Sequence, residues 1–284
     1  LYLESKNTDI INNMWEYMKK SVKYLYRRSN NYIADFGLGD WMSPEHSDGS
    51  KSECPIAVTN TAILHLLCIV MSKMAKVTGR NGFEWEDMAK NVKDAWRKNF
   101  LNDANLCKYQ TYYACAIYCK VLKKQEEQQM ADNLAKLVIK NDYHIDCGFV
   151  GAKCIFTALT DYGYADVVYK MIVNPSYPSY AYWINKNMTT LCESWQMKDS
   201  VNHPCFSEVD NWFYKYAGGI RFTESGILIK PIKINGINNV EVKHKGISVK
   251  INNSVFTIDS DFAVDVELPD IKKKLTPGKY VFNI

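Results

Sequence analysis

The feature that most restricts the fold of this chain is an alternation between two kinds of helical segment. Residues 55–77 are apolar on almost every side, with Ile63, Leu66, Leu67, Ile69, Val70 and Met74, and a helix of that kind is buried over most of its surface. Residues 84–99 carry one apolar stripe instead, formed by Trp85, Met88, Val92 and Trp96. The alternation then repeats. Residues 110–122 are apolar on several sides, 124–140 are charged with a single stripe of Met130, Leu134 and Leu137, 149–161 are apolar, and 162–172 are shorter and mixed. A helix over 7–28 precedes the series. It opens on the cap residues Asn7-Thr8-Asp9 and places Ile10, Ile11, Met14, Trp15, Met18, Val22 and Leu25 at helical spacing. A helix near 206–217 closes the series. Two concentric layers produce this pattern, an inner one buried on most sides and an outer one with a single wet face. An α/α toroid is one such architecture. A helical solenoid is the alternative, but no fixed repeat is visible.

The text changes near residue 222. From Glu224 onward it consists of short β-type runs at 226–229, 240–242, 247–251, 255–258, 262–266 and 280–282, separated by Asn-Gly, Asn-Asn and Pro-Gly turns. The expected organisation is a helical domain over 1–221 followed by a small antiparallel, sandwich-like β-domain over 222–284. The β-part shows no constellation of catalytic side chains.

Bulk properties exclude several classes. A net charge of +4 over 284 residues, with scattered Lys and Arg, gives no footing to a nucleic-acid or membrane-surface partner. No stretch of about 20 residues is apolar throughout, so no membrane span is expected. The nine cysteines contain no Cys-x-x-Cys pair. They read as buried thiols rather than zinc ligands or a disulfide framework, and no metal or cofactor is expected. The opening Leu1-Tyr2-Leu3-Glu4 has neither an initiator Met nor a signal-peptide pattern, and reads as the interior of a longer protein.

The candidate chemistry lies in Met188-Thr189-Thr190-Leu191-Cys192-Glu193-Ser194-Trp195. A carboxylate beside an aromatic ring suits a sugar: the ring stacks on the apolar face of a pyranose, and the carboxylate takes a hydroxyl or a water proton. The bland reading of Glu193 is a structural acid bonded to neighbouring backbone or to Arg. Residues 30–54 form a long loop holding Gly39-Asp40-Trp41, and long ordered loops in compact domains are often functional. Asp40 is either a hydroxyl-binding acid or a loop residue satisfying turn amides. Asn202-His203-Pro204 adds a second polar cluster, with His203 a sugar-hydroxyl donor or a satisfied core histidine. Trp183 and Trp195 are stacking platforms or plain core, and His144 and Asp146 read as a local turn.

Six segments, in order along almost the whole chain, resemble the α-L-rhamnosidases of glycoside hydrolase family 78. They are Gly39-Asp40-Trp41, Gln110-Thr111 before an apolar helix, His144-Ile145-Asp146-Cys147-Gly148-Phe149-Val150-Gly151, the aromatic loop Tyr177–Trp183, Thr189–Trp195, and Asn202-His203 followed by Trp212–Tyr216. The resemblance implies an (α/α)6 six-hairpin toroid with a small β-domain, and inverting hydrolysis of terminal α-L-rhamnosides on a carbohydrate substrate. It implies Glu193 as general base, with Asp40, Trp41, Trp183, Trp195 and His203 lining the sugar site. Cys192 departs from the family, which often has Trp there. The family's general acid lies in an Arg-Asp-Glu-Arg type motif that residues 1–284 do not contain, and eight or nine helices are fewer than the twelve of a complete toroid. The first hairpins are therefore expected to be supplied by a longer parent chain or by another chain. The competing expectations are another six-hairpin glycosidase, a polysaccharide lyase, and a non-catalytic rhamnose-binding remnant.

Overall fold

The structure, a computed structural model, describes residues 1–46 and 52–283. The part of the 30–54 loop at 47–51 lies outside the described residues. Helices are α1 (Tyr2–Ser5), α2 (Asp9–Arg28), α3 (Ile56–Val77), α4 (Phe83–Phe100), α5 (Gln110–Tyr118), α6 (Lys124–Lys140), α7 (Phe149–Thr160), α8 (Ala165–Val173), α9 (Tyr180–Asn185) and α10 (Glu208–Trp212). Strands are β1 (Ile220–Thr223), β2 (Gly226–Ile229), β3 (Asn239–His244), β4 (Ile247–Asn252), β5 (Val255–Ser260), β6 (Val264–Leu268), β7 (Ile271–Leu275) and β8 (Gly278–Asn283).

Two compact units are present, Thr8–Ser207 and a second made of Leu1–Asn7 with Glu208–Ile284. This division differs from a break at 221/222 for a physical reason at each end. Glu4 pairs with His244 at 2.5 Å and Lys245 at 2.8 Å, and the Lys6 ammonium donates to the Thr223 carbonyl, so the first residues join the strands. Ile232 N–H donates to Tyr216 O at 2.8 Å, and Arg221 lies over the Tyr216 ring, which ties the last helical turns to the same unit.

In the helical unit, burial follows the alternation of the sequence. α3 buries Val58, Ala62, Leu64, Cys68 and Met71 together with Thr59, Thr61 and His65 on its other sides. α5 is buried nearly all round and α7 over most of its surface, whereas α4 buries only Trp85, Met88, Ala89, Val92, Ala95 and Trp96. α3, α5 and α7 pack in succession as the inner layer, while α2 and α4 cover α3, α6 covers α5, and α8 covers α7. α3 is long and apolar enough to cross a bilayer by length and composition, a property the sequence reading did not find. Half of its most apolar window is buried inside the protein, against these neighbours.

Each inner helix is entered by a long connection, over residues 29–55, 101–109 and 141–148, and the returns at 78–82, 119–123 and 161–164 are short. The long connections therefore gather at one end, at the N-termini of the inner helices.

The strands form two four-stranded sheets, ordered β1-β2-β6-β7 and β3-β4-β5-β8. Among the described residues β2–β6 is the one parallel pair and the rest are antiparallel. Ile220, Ile229, Val264, Val266 and Leu275 from one sheet share a core with Ile247, Val249, Phe256 and Ile258 from the other. β7 is an edge strand that exposes Lys272, Lys273 and Lys274, and lysines on an edge discourage pairing with another chain.

Candidate active site

The long connections are stitched together by Asp40. Its carboxylate accepts from Gly148 N–H at 3.0 Å, from Gly151 N–H at 2.8 Å and from the Thr111 hydroxyl. It thereby caps the N-terminus of α7 from a loop more than a hundred residues away, where free amides and the helix dipole favour an anion. Burial raises the Asp40 carboxyl above its ordinary range, and the bonds from Thr111, Gly151, Gly148 and Val150 act against that rise. The two glycines follow from this arrangement. A Cβ on Gly148 would lie 2.1 Å from Trp41 O, and one on Gly151 would lie 2.2 Å from Thr111 Oγ1.

Asp40 is fully buried, so the expectation that it binds sugar hydroxyls is corrected: its acceptor sites are occupied by the scaffold. The same correction applies to Trp183 and Trp195. Their rings stack on each other at 4.8 Å and 23°, and both are buried. Trp183 Nε1 donates to Trp195 O at 3.0 Å and Trp195 Nε1 to Cys147 O at 2.8 Å. With Tyr180 and Phe206 they form a filled aromatic column, leaving neither ring a face for a pyranose.

Glu193, His203 and Trp41 remain half-buried. Residues 190–193 and 200–203 lie side by side. Glu193 N–H donates to Ser200 O at 2.7 Å, His203 N–H to Leu191 O at 2.9 Å, and the Thr190 hydroxyl to Val201 O. This pairing brings Glu193 and His203 onto one short loop. Among the described residues the Glu193 carboxylate accepts one long bond, 3.4 Å from Ser200 N–H, and no Arg or Lys pairs with it. Its one bond is to neighbouring backbone, as the bland reading expects, but it pairs with no Arg and keeps acceptor capacity. His203 Nδ1 accepts from Cys205 N–H at 3.2 Å. A backbone amide can only donate, so Nδ1 carries no proton and Nε2 does. The imidazole is thus presented as a hydrogen-bond donor.

Phe149 is a contributor to which the sequence reading gave no role. Its ring meets Trp41 edge-on at 5.5 Å and lies nearly parallel to His203 at 6.2 Å. The available signal was its place between Gly148 and Gly151. A carboxylate with free acceptor capacity, an imidazole donor and aromatic walls can hold a polyol and take a proton from water.

His144 closes the turn expected of it, with its Nδ1 donating to Asn141 O at 2.9 Å, whereas Asp146 lies beyond that turn and its N–H donates to Gln110 Oε1 at 2.9 Å. Burial first, and then the carboxylates of Glu53, Glu45 and Asp40, push the Asp146 carboxyl up to about 6. The folded chain holds this proton where an unfolded chain, titrating near 4, has lost it. The favourable contribution is therefore complete below about pH 4 and is lost as pH rises through about 6. Asp146→Asn is expected to stabilise the chain at pH 8 by about 1–2 kcal/mol and to be near neutral at pH 4. Urea midpoints at the two pH values check this; equal effects at both would refute it. Close by, Glu45, His46 and Glu53 bring potential metal-ligand atoms within 4.8 Å of one another, the one such group among the described residues. A 3.1 Å His46–Glu53 pair accounts for part of that closeness.

Residues 1–217 match the model of the family described as bacterial alpha-L-rhamnosidase 6 hairpin glycosidase domain. An alpha-L-rhamnosidase of Formosa agariphila is 26% identical over 253 residues, which are 82% of this chain and 27% of that protein. Two solved structures superpose on the whole chain. One is the Streptomyces avermitilis alpha-L-rhamnosidase complexed with L-rhamnose, with a TM-score of 0.89, 20% identity and 32% of that chain covered. The other is the native Aspergillus terreus enzyme, with a TM-score of 0.90, 19% identity and 37% covered. The chain thus spans about a quarter to two fifths of the length of these proteins.

Proposed function

This chain belongs to the bacterial α-L-rhamnosidase six-hairpin glycosidase family, and we propose that it carries the general-base half of an inverting α-L-rhamnosidase site. The observation behind this reading is the Glu193 carboxylate, half-buried, fixed through its backbone and left with free acceptor capacity on the same pair of hydrogen-bonded segments as the His203 donor. In the proposed reaction water attacks the anomeric carbon of a terminal α-L-rhamnoside as Glu193 takes its proton. The C–O bond to the aglycone breaks on the opposite face, and a second carboxyl protonates the departing oxygen. Inversion requires the two carboxyls about 6.5–9.5 Å apart, to leave room for the water. His203 Nε2–H donates to a sugar hydroxyl, and Trp41 offers its ring to the apolar face of the pyranose.

The acid is proposed to come from outside these 284 residues, because the Arg-Asp-Glu-Arg type motif is not among them. The expected result is that the chain binds L-rhamnose by calorimetry and turns over an aryl α-L-rhamnoside negligibly. Robust turnover would place an acid within the chain, and no binding of L-rhamnose would remove the sugar reading of the site.

A further inference from the structure

We infer that Phe149 is a positioning residue, fixing Trp41 and His203 in the orientation in which they hold the sugar; the inference rests on the sugar reading of the site. The backbone around Phe149 has no slack, because Gly148 lies against the Trp41 carbonyl and Gly151 against Thr111. Phe149 N–H also donates to Trp41 O at 2.9 Å, so these two residues are tied main chain to main chain. On this anchored backbone the Phe149 ring makes three ring contacts: edge-on to Trp41 at 5.5 Å and 85°, nearly parallel to His203 at 6.2 Å and 17°, and edge-on to Phe206 at 5.0 Å and 80°. Phe206 belongs to the buried column with Trp195, at 4.4 Å. Phe149 is therefore the link between rigid core and the two half-buried rings that face a ligand.

Its own ring is only half-buried, so filling the core does not account for a large aromatic there. Stacking restrains rotation of the imidazole about its Cβ–Cγ bond. That restraint keeps Nδ1 towards Cys205 N–H and leaves Nε2–H as the outward donor. Glu193 is held separately by Ser200, so Phe149 acts on binding and orientation of the sugar rather than on proton transfer.

Two readouts on the full chain test this. Nitrogen-15 NMR of the His203 ring should report the Nε2–H tautomer in the wild type and a mixture of tautomers in Phe149→Leu. Calorimetry with L-rhamnose should show affinity falling about tenfold in Phe149→Leu and staying within about twofold in Phe149→Tyr, which keeps the ring. Phe149→Met serves as the second ring-free variant where Leu does not fold. Adding His203→Gln to Phe149→Leu should cost less than the product of the two single losses, since both act on one contact. An unchanged tautomer in the ring-free variants, or a rhamnose affinity equal to wild type, overturns the role of Phe149 and leaves the sugar reading standing. A wild type that binds no L-rhamnose, with the tautomer still shifting on loss of the ring, removes the sugar reading and keeps Phe149 as the residue that orients His203.

Discussion

Asp40→Ala is expected to lower the stability of the chain by about 3–5 kcal/mol. The substitution leaves two buried amides, Gly148 N–H and Gly151 N–H, and the Thr111 hydroxyl without their acceptor. Each orphaned buried group costs about 1–3 kcal/mol, and the glycines that admit the Asp40–Trp41 backbone leave no room for the main chain to shift. For a chain of this size the loss corresponds to a fall in melting temperature of roughly 10 °C. Asp40→Asn keeps the shape and one acceptor, but turns an NH2 towards an amide donor, so it should lose about half as much. Thermal or urea unfolding of the two variants checks the ordering. A stable Asp40→Ala with weakened rhamnose binding would restore Asp40 to the sugar site and undo the reading of it as a cap.

The second large effect is kinetic. In an active protein that contains these residues together with the acid, Glu193→Gln should lower kcat by about a thousandfold and change KM by no more than a few-fold. Glutamine keeps the side-chain volume and the acceptor for Ser200 N–H, but cannot take a proton from water. An added nucleophile that attacks without losing a proton, such as azide, should restore turnover in the variant. A loss equally shared between kcat and KM, with no rescue by azide, would mean that Glu193 holds the sugar and that the base lies elsewhere.

Much of the frame was legible because burial imposes a period. Val92 and Trp96 fall on one stripe of α4, while α3 buries residues over a wider arc; that difference is readable without coordinates, although Ile63, Leu66, Leu67, Ile69, Val70 and Met74 are half-buried or exposed rather than buried. Six of the β-strands were equally visible, but β1 and β7 were not: β1 straddles the expected domain break, and the three exposed lysines of β7 follow from its place at a sheet edge, which is a long-range property. The expected helix over 206–217 is broken into a 3-10 turn at Pro204–Phe206, the short α10 and a π-helical turn at Phe213–Ala217.

Within the site, local chemistry identified Glu193 and His203 as candidates, since both lie on a loop whose bonds are made to near neighbours in the chain. It left Asp40, Trp183 and Trp195 open between sugar and scaffold; the sugar-lining role came from the resemblance, and all three are buried in the scaffold. A carboxylate next to Trp41 suggests sugar when read along the chain, but the groups that satisfy Asp40 come from Thr111 and the start of α7. An indole announces a large apolar face without saying what covers it, and here the two tryptophans cover each other.

The knot of Asp40, Thr111, Gly148 and Gly151 has a consequence for how chains of this kind are recognised and altered. In two of the six segments that carry the family resemblance, Gly39-Asp40-Trp41 and the Gly-Phe-x-Gly turn, the Asp40, Gly148 and Gly151 positions are dictated by steric fit and amide satisfaction inside the scaffold. Those positions report the frame, while Trp41 and Phe149 within the same segments reach the proposed sugar site. A chain could exchange its monosaccharide through Trp41, Phe149 and the 193–203 loop and keep Asp40, Thr111, Gly148 and Gly151 unchanged, so redesign of specificity has the former as its free variables and the knot as its boundary condition.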